Sequence, residues 1–72
     1  MKLNYYPDTD SLYIDLSERP SVETREISDG VNLDYDASGV LVGIDIDNAS
    51  AKLELHELVL SKLPAAVQRI TA

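Results

Sequence analysis

The sequence lacks cysteine, tryptophan and phenylalanine, and it contains a single histidine. Without cysteine, the chain can form neither a disulfide nor a thiolate metal site. No apolar run approaches the roughly 20 residues of a membrane-spanning helix, and the opening stretch MKLNYYPDTD lacks the apolar segment of a signal peptide. We therefore expect a cytoplasmic protein without disulfides.

Basic residues are also scarce, since six lysines and arginines stand against 13 acidic residues and the net charge is −7. Binding to nucleic-acid phosphates or to an anionic membrane needs a basic patch, so the charge argues against both classes. A basic protein partner is compatible with it, because the field of the chain would attract such a partner. The charge could equally serve solubility alone.

The chain is short at 72 residues, which predicts one domain over residues 1–72. A chain of this size buries only about 60% of its unfolded surface and is marginally stable alone. Small domains are commonly stabilised by disulfides, metals or oligomerisation. We therefore expect a homodimer.

Apolar residues alternate with polar ones along the first two thirds of the chain, which is the pattern of half-buried strands. Five short segments show it: residues 3–6, 12–16, 22–28, 31–36 and 40–47. Turn residues separate them. The pattern predicts an α+β fold in which residues 1–47 form an antiparallel β-meander with one buried face.

The first turn, Pro7 to Asp10, sets a register that places the apolar residues of two strands on one side. A four-residue loop there pairs Tyr5 with Leu12 and Leu3 with Ile14. Asp8 and Asp10 are interpreted as turn residues. A calcium loop starting at Asp8 would instead need a glycine and an acid at the positions of Tyr13 and Arg19.

Two further turns are predicted from short polar stretches. The stretch DASG at residues 36–39 fits a type I turn and predicts that Leu33 pairs with Val42 and Tyr35 with Val40. For the stretch SDG at residues 28–30, a three-residue loop is favoured over a two-residue turn, because it pairs Ile27 with Val31 and buries Ile27.

Residues 34–45, DYDASGVLVGID, match the spacing of a calcium-binding EF-hand loop. However, an EF-hand loop lies between helices, whereas strand-like segments flank this one. In a hairpin Asp45 would also lie too far from the turn to complete a coordination shell. Divalent-cation binding therefore remains the alternative function.

The periodicity changes after Asp47. Apolar residues at helical spacing predict a helix over residues 48–63 that covers the apolar face of the sheet, with Asn48 or Ser50 as its cap. Leu53 and Leu60 fall on the opposite side of that helix, where they would form the dimer contact. A short strand near residues 52–56 is the competing interpretation, and residues 64–72 are expected to form a helical turn or a tail.

The residues do not suggest an enzyme. Nucleophilic catalysis needs a nucleophile beside a base, and the single histidine, His56, falls on the predicted helix away from any serine on the sheet. Paired carboxylates need a cleft that shifts their pKa values apart, and a small sheet with one helix leaves little room for one. We predict no catalytic residue, cofactor or metal ligand.

The outer face of the predicted sheet is the candidate binding site. Like charges close together destabilise a sheet, so an acidic face that also carries tyrosine is a candidate docking surface for a basic protein. A solvated face and a cation held between strands are the alternatives. With the two leucines of the helix, the candidate partner-binding residues are Tyr13, Asp15, Asp34, Leu41, Asp45, Leu53 and Leu60.

Three stretches resemble a family of small bacterial proteins, the domain of unknown function 2283: NYYPDTDSLYIDLS, SDGVNLDYDASGVLVGIDIDNAS and LHELVLSKLP. Asp45 departs slightly from the family pattern, where Glu is commoner. The resemblance implies a compact sheet-and-helix domain, and it brings no catalytic or ligand residues. It also implies an antitoxin-like role beside a small basic RelE-like toxin. The leading prediction is thus a non-enzymatic protein-binding module.

Overall fold

The structure is a computed structural model, and it describes residues 1–60 and 68–71. Five strands form one sheet: β1 (Lys2–Tyr6), β2 (Ser11–Asp15), β3 (Glu23–Ser28), β4 (Val31–Tyr35) and β5 (Leu41–Ile46). A short helix, α1 (Ala49–Lys52), follows the sheet. Two more strands, β6 (Glu57–Leu60) and β7 (Gln68–Thr71), form a separate pair. The predicted α+β class and its five-stranded antiparallel sheet are confirmed.

The strands of the sheet lie in the order β1-β2-β5-β4-β3, and all neighbours are antiparallel. β1 and β2 form a hairpin, while β3, β4 and β5 form a three-stranded meander. The two units join because β5 pairs with β2. As a result, β1 and β3 are the two edges of the sheet.

The predicted register of the first hairpin is confirmed. Tyr5 lies opposite Leu12 and Leu3 opposite Ile14, so the apolar residues of both strands share one side of the sheet. The connecting turn closes through a 3.4 Å hydrogen bond from the Asp10 amide to the Pro7 carbonyl.

The predicted register between β4 and β5 is wrong. Leu33 lies opposite Ile44, and Tyr35 lies opposite Leu41, with a bulge between Asp34 and Tyr35. The turn forms where expected, with a 3.0 Å bond from the Gly39 amide to the Asp36 carbonyl. Gly39 has a φ of 80°, so the loop is a type I turn followed by a left-handed residue, and the bulge then shifts the pairing.

The predicted three-residue loop at residues 28–30 is also wrong. Ser28 lies opposite Val31 and Glu26 opposite Asn32, so Ile27 is the extra residue of a bulge and is 60% exposed. The turn thus has two residues, Asp29 and Gly30. A residue beyond the end of β5 stabilises it, because the Asp47 amide donates a 2.8 Å hydrogen bond to the Gly30 carbonyl. The bulge leaves Ile27 exposed, so its burial did not determine the turn.

The predicted helix over residues 48–63 is mostly wrong. α1 ends at Lys52, and Leu53 is already extended, with φ −130° and ψ 154°. Residues 57–60 instead pair with residues 68–71, with Leu58 opposite Ile70. The helical spacing did not predict the structure of residues 57–60, because pairing with residues 68–71 satisfies their backbone groups instead. Residues 68–71, which were expected to belong to a helical turn or tail, form the strand β7. Residues 61–67 and 72, the rest of the predicted helix and of the expected turn or tail, lie outside the described residues.

The core among the described residues is small. Its buried apolar side chains are Leu12, Val42, Ile46 and Ala49, and Ile14, Val31, Ile44 and Leu55 pack against this core. Other large apolar side chains, such as Leu3 at 41% and Tyr5 at 44%, stay exposed. Within the described residues, no helix is long and apolar enough to cross a bilayer.

A candidate protein-binding site on the acidic face of the sheet

The side of the sheet opposite the core carries a group of acidic residues, which we call the acidic face and define as Tyr13, Asp15, Asp34, Asp45 and Asp47. Gly43 of β5 lies between two of them, with Asp15 opposite it on β2 and Asp34 opposite it on β4. In the next row Asp45 lies opposite Tyr13. Because opposed residues share one side of a sheet, the register brings these side chains together.

Tyr13 lies at the centre of the acidic face. Its hydroxyl donates a 2.8 Å hydrogen bond to Asp34 Oδ2, and Thr24 Oγ1 donates a 2.6 Å bond to Asp34 Oδ1. The bond to Asp34, together with burial, raises the pKa of Tyr13 to about 12. Tyr13 therefore stays a protonated donor at neutral pH and holds Asp34 in place.

Gly43 is what allows this arrangement. A Cβ atom at that position would overlap the Tyr13 hydroxyl and ring. The tyrosine side chain can cross β5 to reach β4 only because the residue beneath it has no side chain. Close approach of another group is a recognised reason for glycine inside a strand.

Asp45 shows how concentrated the charge is. Its pKa is raised, first by partial burial and then by the negative charges of Asp47 and Asp34. The charges of Asp15 and Asp45 also contribute to the raised pKa of Tyr13. At one corner of the face, Lys2 lies opposite Asp15 and brings a positive charge.

The structure brings four of the predicted site residues together, namely Tyr13, Asp15, Asp34 and Asp45. Leu41 is displaced by the bulge and lies opposite Tyr35, on the side away from Asp34. Leu53 is the extended residue that follows α1, and Leu60 lies in β6. The predicted shared helical surface of Leu53 and Leu60 therefore does not exist.

Sequence reasoning missed Thr24 and Gly43 as parts of this site. A glycine in the interior of an alternating strand was an available signal for Gly43. Thr24 had no such signal, because its contact with Asp34 depends on the register between β3 and β4.

Two other aspartates, Asp10 and Asp36, accept hydrogen bonds that stabilise the fold. Asp10 accepts a 2.7 Å bond from Ser50 Oγ, a 3.1 Å bond from the Ser50 amide and a 2.8 Å bond from the Tyr5 hydroxyl. The bond from Ser50 and then that from Tyr5 lower the pKa of Asp10. Asp10 thus caps α1 from 40 residues away, whereas Asn48 makes no side-chain cap bond.

Asp36 holds the turn between β4 and β5. Its Oδ1 atom accepts 2.9 Å bonds from the amides of Ser38 and Val40, and its Oδ2 atom lies 3.2 Å from Arg19 Nε. The amide of Val40 is the largest cause of its lowered pKa. In the EF-hand-like stretch, Asp34 and Asp36 therefore already serve other groups. Among the described residues, no three acidic or histidine side chains are grouped so as to hold a metal ion.

The family model described as "Protein of unknown function (DUF2283)" matches residues 2–50, which span all five strands and the start of α1. The chain belongs to this family. The match ends at Ser50, so the stretch LHELVLSKLP lies beyond it. Searches of curated proteins and of solved structures find no match to this DUF2283 protein.

Proposed function

We propose that this DUF2283 protein is a non-enzymatic protein-binding module whose acidic face docks a basic protein. The observation that carries the proposal is the grouping of Asp15, Asp34 and Asp45 on one side of the sheet, beside Asp47. The pKa of Asp45 is raised, first by burial and then by the negative charges of Asp47 and Asp34, which agrees with that grouping. Like charges held together on a sheet cost stability, so a plain structural surface gains nothing from them. The positive charges of a basic partner would be attracted by the carboxylates of the acidic face and would reduce the repulsion between them.

The centre of the face supports the same proposal. Tyr13 is held in one position by Asp34 and lies over Gly43, so it loses little conformational freedom when a partner covers it. Tyrosine is enriched among the residues that dominate interface energies. A fixed aromatic group surrounded by carboxylates suits a partner that presents arginine or lysine.

The finer proposal is an antitoxin-like role beside a small basic RelE-like toxin. Its support is the implied association of the family with such toxins, together with the net charge of −7. A strongly acidic chain is the electrostatic complement of a small basic protein and would associate with it quickly at low ionic strength. Blocking the basic surface of a toxin needs no catalytic group.

The placement of the reactive groups supports a non-enzymatic role. The one histidine, His56, lies in an exposed turn before β6. Asp45 and its neighbours lie side by side on one face of a sheet, and the pKa values of Asp45 and Tyr13 are both raised, so the face lacks the acid and base with separated pKa values that carboxylate catalysis uses. Divalent-cation binding is less well supported, because Asp34 and Asp36 are engaged by Tyr13, Thr24 and backbone amides.

The test begins with the genes beside this one: if one of them encodes a small basic protein, that protein and the purified 72-residue chain are titrated against each other. Isothermal titration should give a micromolar or tighter complex that weakens as salt is raised. A triple variant, Asp15→Asn with Asp45→Asn and Asp47→Asn, should weaken it at least tenfold. It leaves Asp34 intact, so the bonds to Tyr13 and Thr24 survive.

The matched control removes the same charge elsewhere, through Asp8→Asn with Asp29→Asn and Glu54→Gln. If both triple variants weaken the complex equally, net charge rather than the acidic face is responsible. No binding of the basic protein would overturn the toxin-partner proposal. Titration with calcium and magnesium in the same instrument would reveal the cation alternative instead.

A further inference from the structure

The two edges of the five-stranded sheet differ in how well they could accept another strand. The edge strand β3 carries a bulge at Ile27 and three charged residues, Glu23, Arg25 and Glu26. Bulges and charges are the usual means by which an edge resists pairing. The other edge, β1, keeps an unbroken register with β2 over all five residues and has one charged residue, Lys2.

An apolar groove runs beside β1, between the first hairpin and residues 50–58. Its volume is about 1290 Å³, and Leu3, Tyr5, Leu53 and Leu55 are among its lining residues. Leu3 and Tyr5 are 41% and 44% exposed at this edge. A strand added to β1 would cover these side chains and satisfy the backbone groups of the edge at the same time.

Charge indicates which strand would be added. Each of β2, β3, β4 and β5 contains at least one Asp or Glu, whereas β1, with the sequence KLNYY, contains none. For a chain with a net charge of −7, the approach of a second copy is therefore less repulsive at the β1 edge of the five-stranded sheet than at the β3 edge. A basic partner, in contrast, is drawn to the acidic face.

We propose that β1 pairs antiparallel with β1 of a second copy, about a two-fold axis at Asn4. In this register Leu3 lies opposite Tyr5 of the second copy on the apolar side, and Lys2 lies opposite its Tyr6 on the other side. The same patch serves both copies, as a two-fold dimer requires. The two grooves meet, and the two acidic faces lie on one side of a continuous sheet.

This interface replaces the predicted one at Leu53 and Leu60, whose shared helical surface is absent. It does not depend on the proposed function, because β1 and the acidic face are separate surfaces. A chain that dimerises without binding a basic protein would leave the present proposal intact.

The absence of cysteine makes cross-linking a clean test of the register. Opposed residues of antiparallel strands have Cα atoms about 4.5–5.5 Å apart, which is within the range that a disulfide spans. Under mild oxidation, Asn4→Cys should form a covalent dimer about tenfold faster or more than Ser28→Cys at the other edge, because pairing raises the local thiol concentration. A mixture of Lys2→Cys and Tyr6→Cys chains should form the mixed dimer preferentially.

Sedimentation of the 72-residue chain at tens of micromolar tests the same surface without cysteine. The wild type should be a dimer, and Leu3→Glu should raise its dissociation constant at least tenfold. Val22→Glu, at an exposed apolar residue near β3, should leave it unchanged. A monomeric wild type would overturn the proposal, as would a dimer that Leu3→Glu leaves intact or one in which folded Asn4→Cys cross-links no faster than Ser28→Cys.

Discussion

The aspartates in the turns and those on the acidic face are in opposite electrostatic situations. Asp10 and Asp36 accept several hydrogen bonds, which lower the pKa of each. Asp45 is half-buried near Asp47 and Asp34, and its pKa is raised. The negative charges of Asp10 and Asp36 in the turns therefore stabilise the fold, whereas the negative charge of Asp45 on the acidic face destabilises it. Aspartate thus has two roles in this protein, and the groups around each side chain determine which role it has.

The largest effect is expected at Asp10, where one side chain joins the β1–β2 turn to α1. Asp10→Ala removes the bonds to Ser50 and Tyr5, and it places alanine at a φ of 53°. Thermal unfolding should show a larger loss of melting temperature for this variant than for any other described below.

Two variants separate the causes of that loss. Asp10→Gly tolerates the positive φ but lacks the acceptor oxygen, whereas Asp10→Asn tolerates the same φ and keeps an acceptor. The melting temperatures should therefore rank wild type, Asn, Gly and Ala from highest to lowest. If Asp10→Gly were as stable as the wild type, the loss in Asp10→Ala would come from the positive φ and not from the missing cap.

The next effect tests the centre of the acidic face. Gly43→Ala should destabilise the protein by about 1–3 kcal/mol, because the new methyl group displaces the Tyr13 ring. In a Tyr13→Ala background the same change should be neutral or stabilising, because alanine is preferred to glycine inside a strand. Denaturant unfolding of the four chains gives this coupling directly. An equal loss in both backgrounds would mean that the ring does not lie over Gly43.

How far the sequence predicts this molecule depends on the range of each interaction. Alternation placed all five strands, and the length of the Pro7–Asp10 turn gave the register of the first hairpin. Tyr13, Asp15, Asp34 and Asp45 were also correctly expected to share one face. These features depend on neighbours that are close in sequence or on simple periodicity.

The failures come from features that neither apolar alternation nor turn length specifies. Ser50 lies 40 residues from Asp10, so the cap of α1 could not be recognised from its own sequence. Helical spacing in residues 48–63 competed with pairing between residues 57–60 and 68–71, and the pairing prevailed. The two bulges shifted Ile27 and Leu41 because a bulge changes register without changing the alternation of either strand.

A moderate, pH-dependent effect is expected at Asp36. Because its pKa is lowered in the folded state, it contributes stability above its unfolded pKa of about 3.9 and loses that contribution as the pH falls through its folded pKa. Asp36→Asn should therefore lower the melting temperature at pH 7 and have little effect near pH 2. A loss of equal size at both pH values would show that the charge of Asp36 is not what stabilises the turn.

The smallest effect has the opposite sign. Asp45→Asn should stabilise the protein at pH 7 by a few tenths to about 1 kcal/mol, because it removes a charge that is disfavoured first by burial and then by the like charges of Asp47 and Asp34. A raised folded pKa means that the charged form costs stability above that pKa and that the cost disappears as the pH falls below about 3.9. The gain should therefore vanish in acid. Asp8→Asn, in the exposed β1–β2 turn, is the control and should change little.

The most direct test of the account is an NMR titration of the aspartate carboxyl carbons in the wild-type chain. It reports the pKa of every aspartate in one experiment under one set of conditions. We predict that Asp10 and Asp36 titrate below the ordinary value of about 3.9 and that Asp45 titrates above it. If Asp45 titrated at or below Asp10, neither burial nor the charges of Asp47 and Asp34 would disfavour its carboxylate, which would contradict the proposal that the acidic face is a costly surface kept for a basic partner.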